Sequence, residues 1–517
     1  MPQLLANWVN NSPCPSSIEE SQSDTASPHF LPVTNPACGS VIAHVPLSST
    51  TDVNMAVASA QTAYESWSAR TIKDRVQILI RFHQLVIKHS QKLADLIVME
   101  HGKTFGEAMG EIAKGNETVE YAMSMPQISQ GKTLEVSRGV HCSDLRKSLG
   151  VVVSIVPFNF PFMVPMWTLP IAVASGNTMV IKPSEKVPLT MCFVMELLKE
   201  AGLPDGVVNL VHGTAKVVNQ LVDHPNVKAV TFVGTSTVAE LIYKRGGLLN
   251  KRVIALGGAK NHLVAYSDRN LEMASNDIVA SFTGCAGQRC MAASVLLTIG
   301  PQPDLLELLV AKSAAFKPGQ AKGEVKVMGP VIDAASKSKI LSYIKRSEES
   351  GARILLDGRT GHWESASAAS TTADVGGTNG EISLQDGYWI GPTIILHTSK
   401  EDAALHDEIF GPVLSILQVA SKEDAIAIEN ACEYGNAASI YTCDGGVAEW
   451  FSKRFSAGMI GVNIGVPVPR EPFSFGGIGK SRFGWGDITG DSAVEFFSER
   501  RKVTTKWTLP TEQSWLS

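Results

Sequence analysis

The chain has 517 residues, 44% hydrophobic and 18% charged, an ordinary composition for a globular protein of two or three domains. Its net charge of −5 argues against a dedicated nucleic-acid binder, which would carry a basic face. Eight scattered cysteines suit a reducing compartment better than a disulfide framework.

Residues 1–48 read as short extended pieces and turns, with a polar loop between Ser12 and Ser27. No Lys or Arg precedes Arg70, and Glu19, Glu20 and Asp24 come early, so neither a secretory signal nor a mitochondrial presequence is expected. As written the chain reads as cytoplasmic; a leader missing from it would make the protein mitochondrial. From Asp52 to about Asn116 the pattern is helical, with Val53, Ala56, Val57 and Ala60 on one face and Val76, Leu79, Phe82 and Val86 repeating it. Residues 131–149 suggest a hairpin outside any core.

Between Ser148 and Ile181 there is no charged residue, enough length to cross a bilayer. Pro157, Pro161, Pro165 and Pro170 fall inside the run, each deleting a backbone donor, so a buried strand, a bent connection and a helix are expected instead. Strands predicted at 151–156, 178–181, 207–211, 229–233 and 253–256 alternate with helices at 163–174, 189–201, 217–222 and 237–245. That order predicts a parallel sheet with right-handed crossovers, which binds ligands at the carboxyl ends of its strands. Those ends are glycines and short polar residues with one lysine, Lys182, which suits a nucleotide. No Gly-x-Gly-x-x-Gly follows any strand. Gly234-Thr235-Ser236 could place N–H groups against a phosphate or simply cap a helix.

Residues 259–460 predict a second α/β unit, with Gly361–Glu381 as an exposed insertion. The segment Phe282–Ser294 holds Cys285 and Cys290 among Gly, Ala and Ser, with Arg289 directly before Cys290. A neighbouring cation favours thiolate over thiol, so Cys290 is a candidate nucleophile; a packed, inert cysteine fits the local pattern equally well. The segment offers no histidine and no second cysteine pair, so no metal site is expected. Gly476–Ser481 lacks the spacing of a phosphate loop, and the tail from Trp485 to Trp507 could add a strand to a partner's sheet.

Pro157-Phe-Asn-Phe-Pro161, Gly176–Glu185, Phe232-Val-Gly-Thr235, Gly287-Gln-Arg-Cys290 and Glu408-Ile-Phe-Gly-Pro412 together resemble the aldehyde dehydrogenase superfamily, in the same order from about residue 30 to 507. Gly258-Ala-Lys-Asn-His262, Ala286-Gly-Gln-Arg-Cys-Met291 and Val462-Asn463 followed by Pro467-Val-Pro469 resemble its CoA-acylating methylmalonate-semialdehyde dehydrogenase branch. The resemblance implies an α/β fold of two parallel-sheet domains and a β oligomerisation arm. An NAD-binding domain would span 1–130 and 150–258, a catalytic domain 259–465, and the arm 131–149 with 485–510. It further implies a homotetramer or dimer, with no membrane or nucleic-acid partner.

By the same resemblance Cys290 attacks the aldehyde and Asn159 donates to the oxyanion. Lys182 and Glu408 hold the ribose hydroxyls of NAD, and Val156, Phe158, Glu185, Lys186, Thr235 and Gly257 make the other cofactor contacts. Hydrolytic relatives carry a glutamate 34 residues before the nucleophile. This chain has Leu256 there and Ala255 beside it, and neither can take a proton from water. Coenzyme A, as co-substrate, would carry the acyl group away. A two-arginine clamp on the substrate carboxylate would map onto Arg289 and Lys114, the latter a departure that loses bidentate geometry. The expected reaction turns methylmalonate or malonate semialdehyde into propionyl-CoA or acetyl-CoA with loss of CO2. The alternatives are a CoA-independent aldehyde dehydrogenase and an inactive structural relative.

Overall fold

The computed structural model describes residues 2–16, 29–320, 322–323, 326–360, 363, 370–375, 378–383 and 386–507. Most of the polar loop expected at 12–27 and the end of the expected arm, 508–510, lie outside them.

The sequence between 50 and 123 forms four helices, Thr50–Ala69, Ile72–Lys88, Ser90–His101 and Phe105–Met123. Their breaks are chemical. Thr71 and Thr104 each cap the following helix with a side-chain oxygen, and Gly102 ends the third in the left-handed region. The predicted apolar face is buried, with Leu79, Phe82 and Val86 fully so.

Five parallel strands, Val151–Ile155, Thr178–Lys182, Val208–Leu210, Val227–Val233 and Arg252–Leu256, make the centre of an eight-stranded sheet. Valine and isoleucine dominate them because both faces are covered. The proline-containing run between the first two strands is no membrane span. It supplies the helix Met163–Ala174, every residue of which is buried. Among the described residues no helix is long and apolar enough to cross a membrane. The chain enters mid-sheet at Val151–Ile155, winds outward through Thr178–Lys182 and Val208–Leu210, then returns to the other side with Val227–Val233. The reversal leaves a crevice at the carboxyl ends of Val151–Ile155 and Val227–Val233. Sequence reasoning left out both antiparallel edges: Asn7–Val9 with Ser12–Cys14 at one, Arg482–Gly484 at the other.

A second sheet orders its seven strands Arg353–Leu356, Thr393–His397, Val413–Val419, Ala293–Ile299, Asn261–Ala265, Ala437–Tyr441 and Met459–Val462. All but the first run parallel. Residues 257–260 carry the chain from the carboxyl end of the last first-sheet strand to the amino end of Asn261–Ala265. The nucleophile candidate thus sits at the amino edge of the second sheet, just before Ala293–Ile299, facing the carboxyl edge of the first. A third sheet pairs Lys132–Ser137, Val140–Ser148 and Ser498–Lys506, all antiparallel. The stretch expected as an exposed insertion contains the hairpin Ser370–Val375 with Thr378–Ser383; the exposure of its side chains lies outside the described residues.

Candidate active site

A cavity of about 930 Å³ opens along the crevice of the first sheet. Val156, Phe158, Asn159, Lys182, Glu185, Thr235, Gly257, Glu408 and Cys290 all line it. Nine residues drawn from six separate segments therefore face one space. Lys186, Arg289 and Lys114 do not line it.

Each wall has a local cause. Lys182 ends its strand with its ammonium buried, donating to the carbonyls of Pro183 (2.6 Å) and Gly213 (2.8 Å) and lying 3.4 Å from Glu185 Oε2. Burial pulls its pKa down, and the Glu185 carboxylate opposes that. Thr235 is the N-cap of the helix Ser236–Leu248 but makes no side-chain cap bond, so the helix N-terminus keeps N–H groups for an anion. Ser236, one residue on, donates to the Lys480 carbonyl and accepts the Gly258 N–H. Glu408 accepts the Ala259 N–H at 3.0 Å, and burial raises its pKa. A Cβ at Gly258 would lie 2.3 Å from Glu408 Oε2, so glycine is what lets this carboxylate reach the cavity. Lys186, expected among the cofactor contacts, pairs instead with Asp333 at 2.5 Å.

Cys290 sits opposite this wall. Its carbonyl oxygen accepts from Asn261 Nδ2 (2.8 Å) and Asn436 Nδ2 (2.9 Å), two buried amides at the amino edge of the second sheet. Asn261 also donates to Ala292 O and accepts the Ala437 N–H, which locks it in place. On the other side Asn159 Nδ2 donates to Gln288 O at 3.0 Å, two residues before the nucleophile. Asn159 is thus tied to the loop that carries Cys290.

The Arg289 charge favours the thiolate, as expected, but its own contacts are with other groups. Its Nε contacts Cys285 Sγ at 3.3 Å and its terminal nitrogen Glu107 at 3.4 Å. Burial, with Glu408 next, pushes the Cys290 thiol up to about 12; hydrogen bonds from the N–H groups of Cys290 and Met291, and the Arg289 charge, offset that only in part. Cys285 and Ala286, with φ of 51° and 53°, hold a left-handed turn that non-glycine residues rarely adopt. The Cys285 N–H donates to Glu107 at 2.6 Å, which fixes that turn.

The two cations expected to clamp a substrate carboxylate each contact glutamates of the protein. Lys114 donates to Glu117 (2.7 Å) and Glu471 (3.3 Å), while Arg289 faces Glu107. Three glutamates of the protein occupy the two cations. Leu256, where the resemblance places the hydrolytic glutamate, is 3% exposed, and its strand pairs with Arg482–Gly484. Among the described residues no group of three or more metal-ligating side chains occurs.

A model of the aldehyde dehydrogenase family matches residues 23–373 and 360–503. The chain belongs to this family. It is 42% identical to malonate-semialdehyde dehydrogenase 1 of Geobacillus thermodenitrificans, over 92% of this chain and 95% of that one. Malonate-semialdehyde dehydrogenase 2 of Oceanobacillus iheyensis is 43% identical, over 92% and 94%. Among solved structures, methylmalonate-semialdehyde dehydrogenase from Oceanimonas doudoroffii superposes with a TM-score of 0.89 at 35% identity, covering 98% of this chain and 99% of that one. A candidate methylmalonate-semialdehyde dehydrogenase from Sinorhizobium meliloti 1021, complexed with NAD, gives 0.91 at 32% identity, covering 99% of each. The family fold, α/β with largely parallel sheets, is the one the sequence predicts.

Sequence reasoning missed Asn261, Asn436, Lys103, Glu111 and Glu107 as parts of the site's frame. Asn261 lay inside the Gly-Ala-Lys-Asn-His stretch, and its place at a strand's first position was the available signal. Lys103 and Glu111 had none, since a buried ion pair eight residues apart looks like two solvated charges.

Proposed function

We propose that the protein is an NAD-dependent, CoA-acylating dehydrogenase of malonate and methylmalonate semialdehydes. The observation that carries the reading is Leu256, an aliphatic side chain where water would need a base, in a chain over 40% identical to malonate-semialdehyde dehydrogenases.

The lining of the cavity fits a dinucleotide. Lys182 and Glu408 would hold ribose hydroxyls, the helix N-terminus at Thr235 a phosphate, and Val156, Phe158 and Gly257 the flat rings. When bound, NAD supplies a cationic hydride acceptor beside the nucleophile. Cys290 bonds to the aldehyde carbon as its thiol proton passes to solvent, while Asn159 Nδ2 and the Cys290 N–H hold the oxygen. Donors of this kind contribute about 3–4 kcal/mol to the transition state. Loss of hydride leaves a thioester on Cys290. A β-carboxylate substrate then loses CO2, the carbon left behind taking a proton from solvent, and the CoA thiol displaces Cys290, whose sulfur regains a proton, to give propionyl-CoA or acetyl-CoA. Arg289 and Lys114 would meet the carboxylate by exchanging their glutamate partners for it. Lys186 keeps Asp333 and contributes to the cofactor wall through Phe158, over whose ring its ammonium sits at 5.3 Å.

Division into a cofactor domain, a catalytic domain and an arm agrees with the three sheets, and assembly as a dimer or tetramer through the arm agrees with its exposed Leu134, Val136 and Leu145. Steady-state rates of NADH formation with malonate semialdehyde, methylmalonate semialdehyde and propanal test the substrate. The carboxylated aldehydes should give the higher kcat/KM; a preference for propanal would overturn the assignment.

A further inference from the structure

Lys103 and Glu111 form an ion pair with no solvent exposure of either side chain, Nζ to Oε2 at 2.5 Å. Burying such a pair for stability alone is a poor bargain, because apolar residues of equal size are often neutral or better. The partners of the pair show what it does. Lys103 Nζ donates to the backbone carbonyl of Asn159 at 2.8 Å. Glu111 Oε1 accepts the N–H groups of Phe162 (2.8 Å) and Met163 (3.2 Å). The pair therefore clamps both ends of the 159–163 turn.

The turn needs such a clamp. Pro157 and Pro161 lack donors, and Phe162, the N-cap of the helix Met163–Ala174, has no capping side chain. Glu111, from the neighbouring helix Phe105–Met123, supplies the cap instead. The two helices approach so closely that a Cβ at Gly115 would meet the Phe162 ring at 2.8 Å. With its carbonyl held by Lys103 and its side-chain amide by Gln288 O, Asn159 is fixed at two points on the wall of the cavity that Cys290 also lines.

We infer that Lys103 is a positioning residue for the oxyanion donor, acting through Asn159 with Glu111 as its counter-charge. The inference rests on the proposed donor role of Asn159. Positioning errors of about 1 Å cost on the order of a hundredfold in rate. Lys103 should accordingly govern kcat for thioester formation rather than the affinity for the cofactor.

The test is a double-mutant cycle on single-turnover NADH formation with Lys103→Met, Asn159→Ala and the pair, alongside the rate of Cys290 alkylation by iodoacetamide. Should Lys103→Met alone not fold, Lys103→Met/Glu111→Gln, which removes both charges, takes its place in the cycle. Asn159→Ala should lose about 10²- to 10³-fold. Lys103→Met should lose about tenfold or more in rate, with the KM for NAD unchanged, and nothing further once Asn159 is Ala. Alkylation, which forms no oxyanion, should be unchanged in all. A normal rate for Lys103→Met, or the same fold-loss in both backgrounds, overturns the inference and leaves the donor role of Asn159 standing. A fully active Asn159→Ala overturns both.

Discussion

Arg289 Nε lies 3.3 Å from the sulfur of Cys285, four residues back along the same loop, and its far nitrogen faces Glu107. The cation beside the nucleophile is thus spent on the strained turn that precedes it. Cys290 keeps a thiol pushed up to about 12 by burial and the Glu408 charge.

Because that pKa is raised, the thiolate fraction of the cofactor-free protein grows with pH. Alkylation of Cys290 should climb about tenfold per pH unit from about pH 7 to 10 without a plateau. Glu408→Gln removes a like charge and should speed alkylation at pH 8 by about tenfold, one pKa unit. A plateau near neutral pH would show that Arg289, not burial, governs the sulfur.

Lys114 is shared between Glu117 and Glu471, so the protein's own carboxylates compete with a substrate carboxylate. Glu471→Gln should remove one of the two competing carboxylates and lower the KM for malonate semialdehyde several-fold. Lys114→Met leaves Glu471, 9% exposed, without its cation and should cost about 1–3 kcal/mol of stability by chemical denaturation. Lys114→Arg should be tolerated. An unchanged KM in Glu471→Gln would place the substrate carboxylate elsewhere.

Leu256→Glu restores a carboxylate where hydrolytic relatives carry one. Free acid should then form without CoA, at about tenfold or more the rate of the natural protein. The thermal midpoint should fall, since the position is 3% exposed and a carboxylate there is desolvated. No gain in acid release from a folded variant would mean that something other than a missing base blocks water.

On the third sheet Leu134, Val136, Leu145 and Val503 are 66%, 52%, 46% and 41% exposed. By the register Leu134 and Val136 share one face and Leu145 and Val503 the other, and exposed apolar side chains on a small sheet are expected to pair with a second copy. Leu134→Asp with Val136→Asp should shift the molar mass by light scattering towards the monomer. The same mass in both proteins would contradict assembly through this sheet.

The parallel strands of the first sheet were legible because they are rich in Val, Ile and Leu and are followed within a few residues by Gly, Pro or a short polar residue. The cavity wall followed from them, since strand ends gather at a reversal of strand order. What could not be read was long-range polar pairing. Lys103 with Glu111, Asn436 with the Cys290 carbonyl, and Lys114 with Glu471 depend on which helix faces which strand. No local periodicity encodes that. The pull of Arg289 on Cys290 has the direction its adjacency implies; its size relative to burial was not legible, because burial of the thiol and the approach of Glu408 depend on the tertiary fold.

The central claim is that a thioester on Cys290 is released to a thiol and not to water. The direct measurement supplies purified protein with NAD and malonate semialdehyde and quantifies acyl-CoA and free acid with and without CoA. Acetyl-CoA should accumulate in step with NADH when CoA is present, and turnover should stall after about one equivalent of NADH per site when it is absent. Free acid released at the same rate with or without CoA would contradict the account.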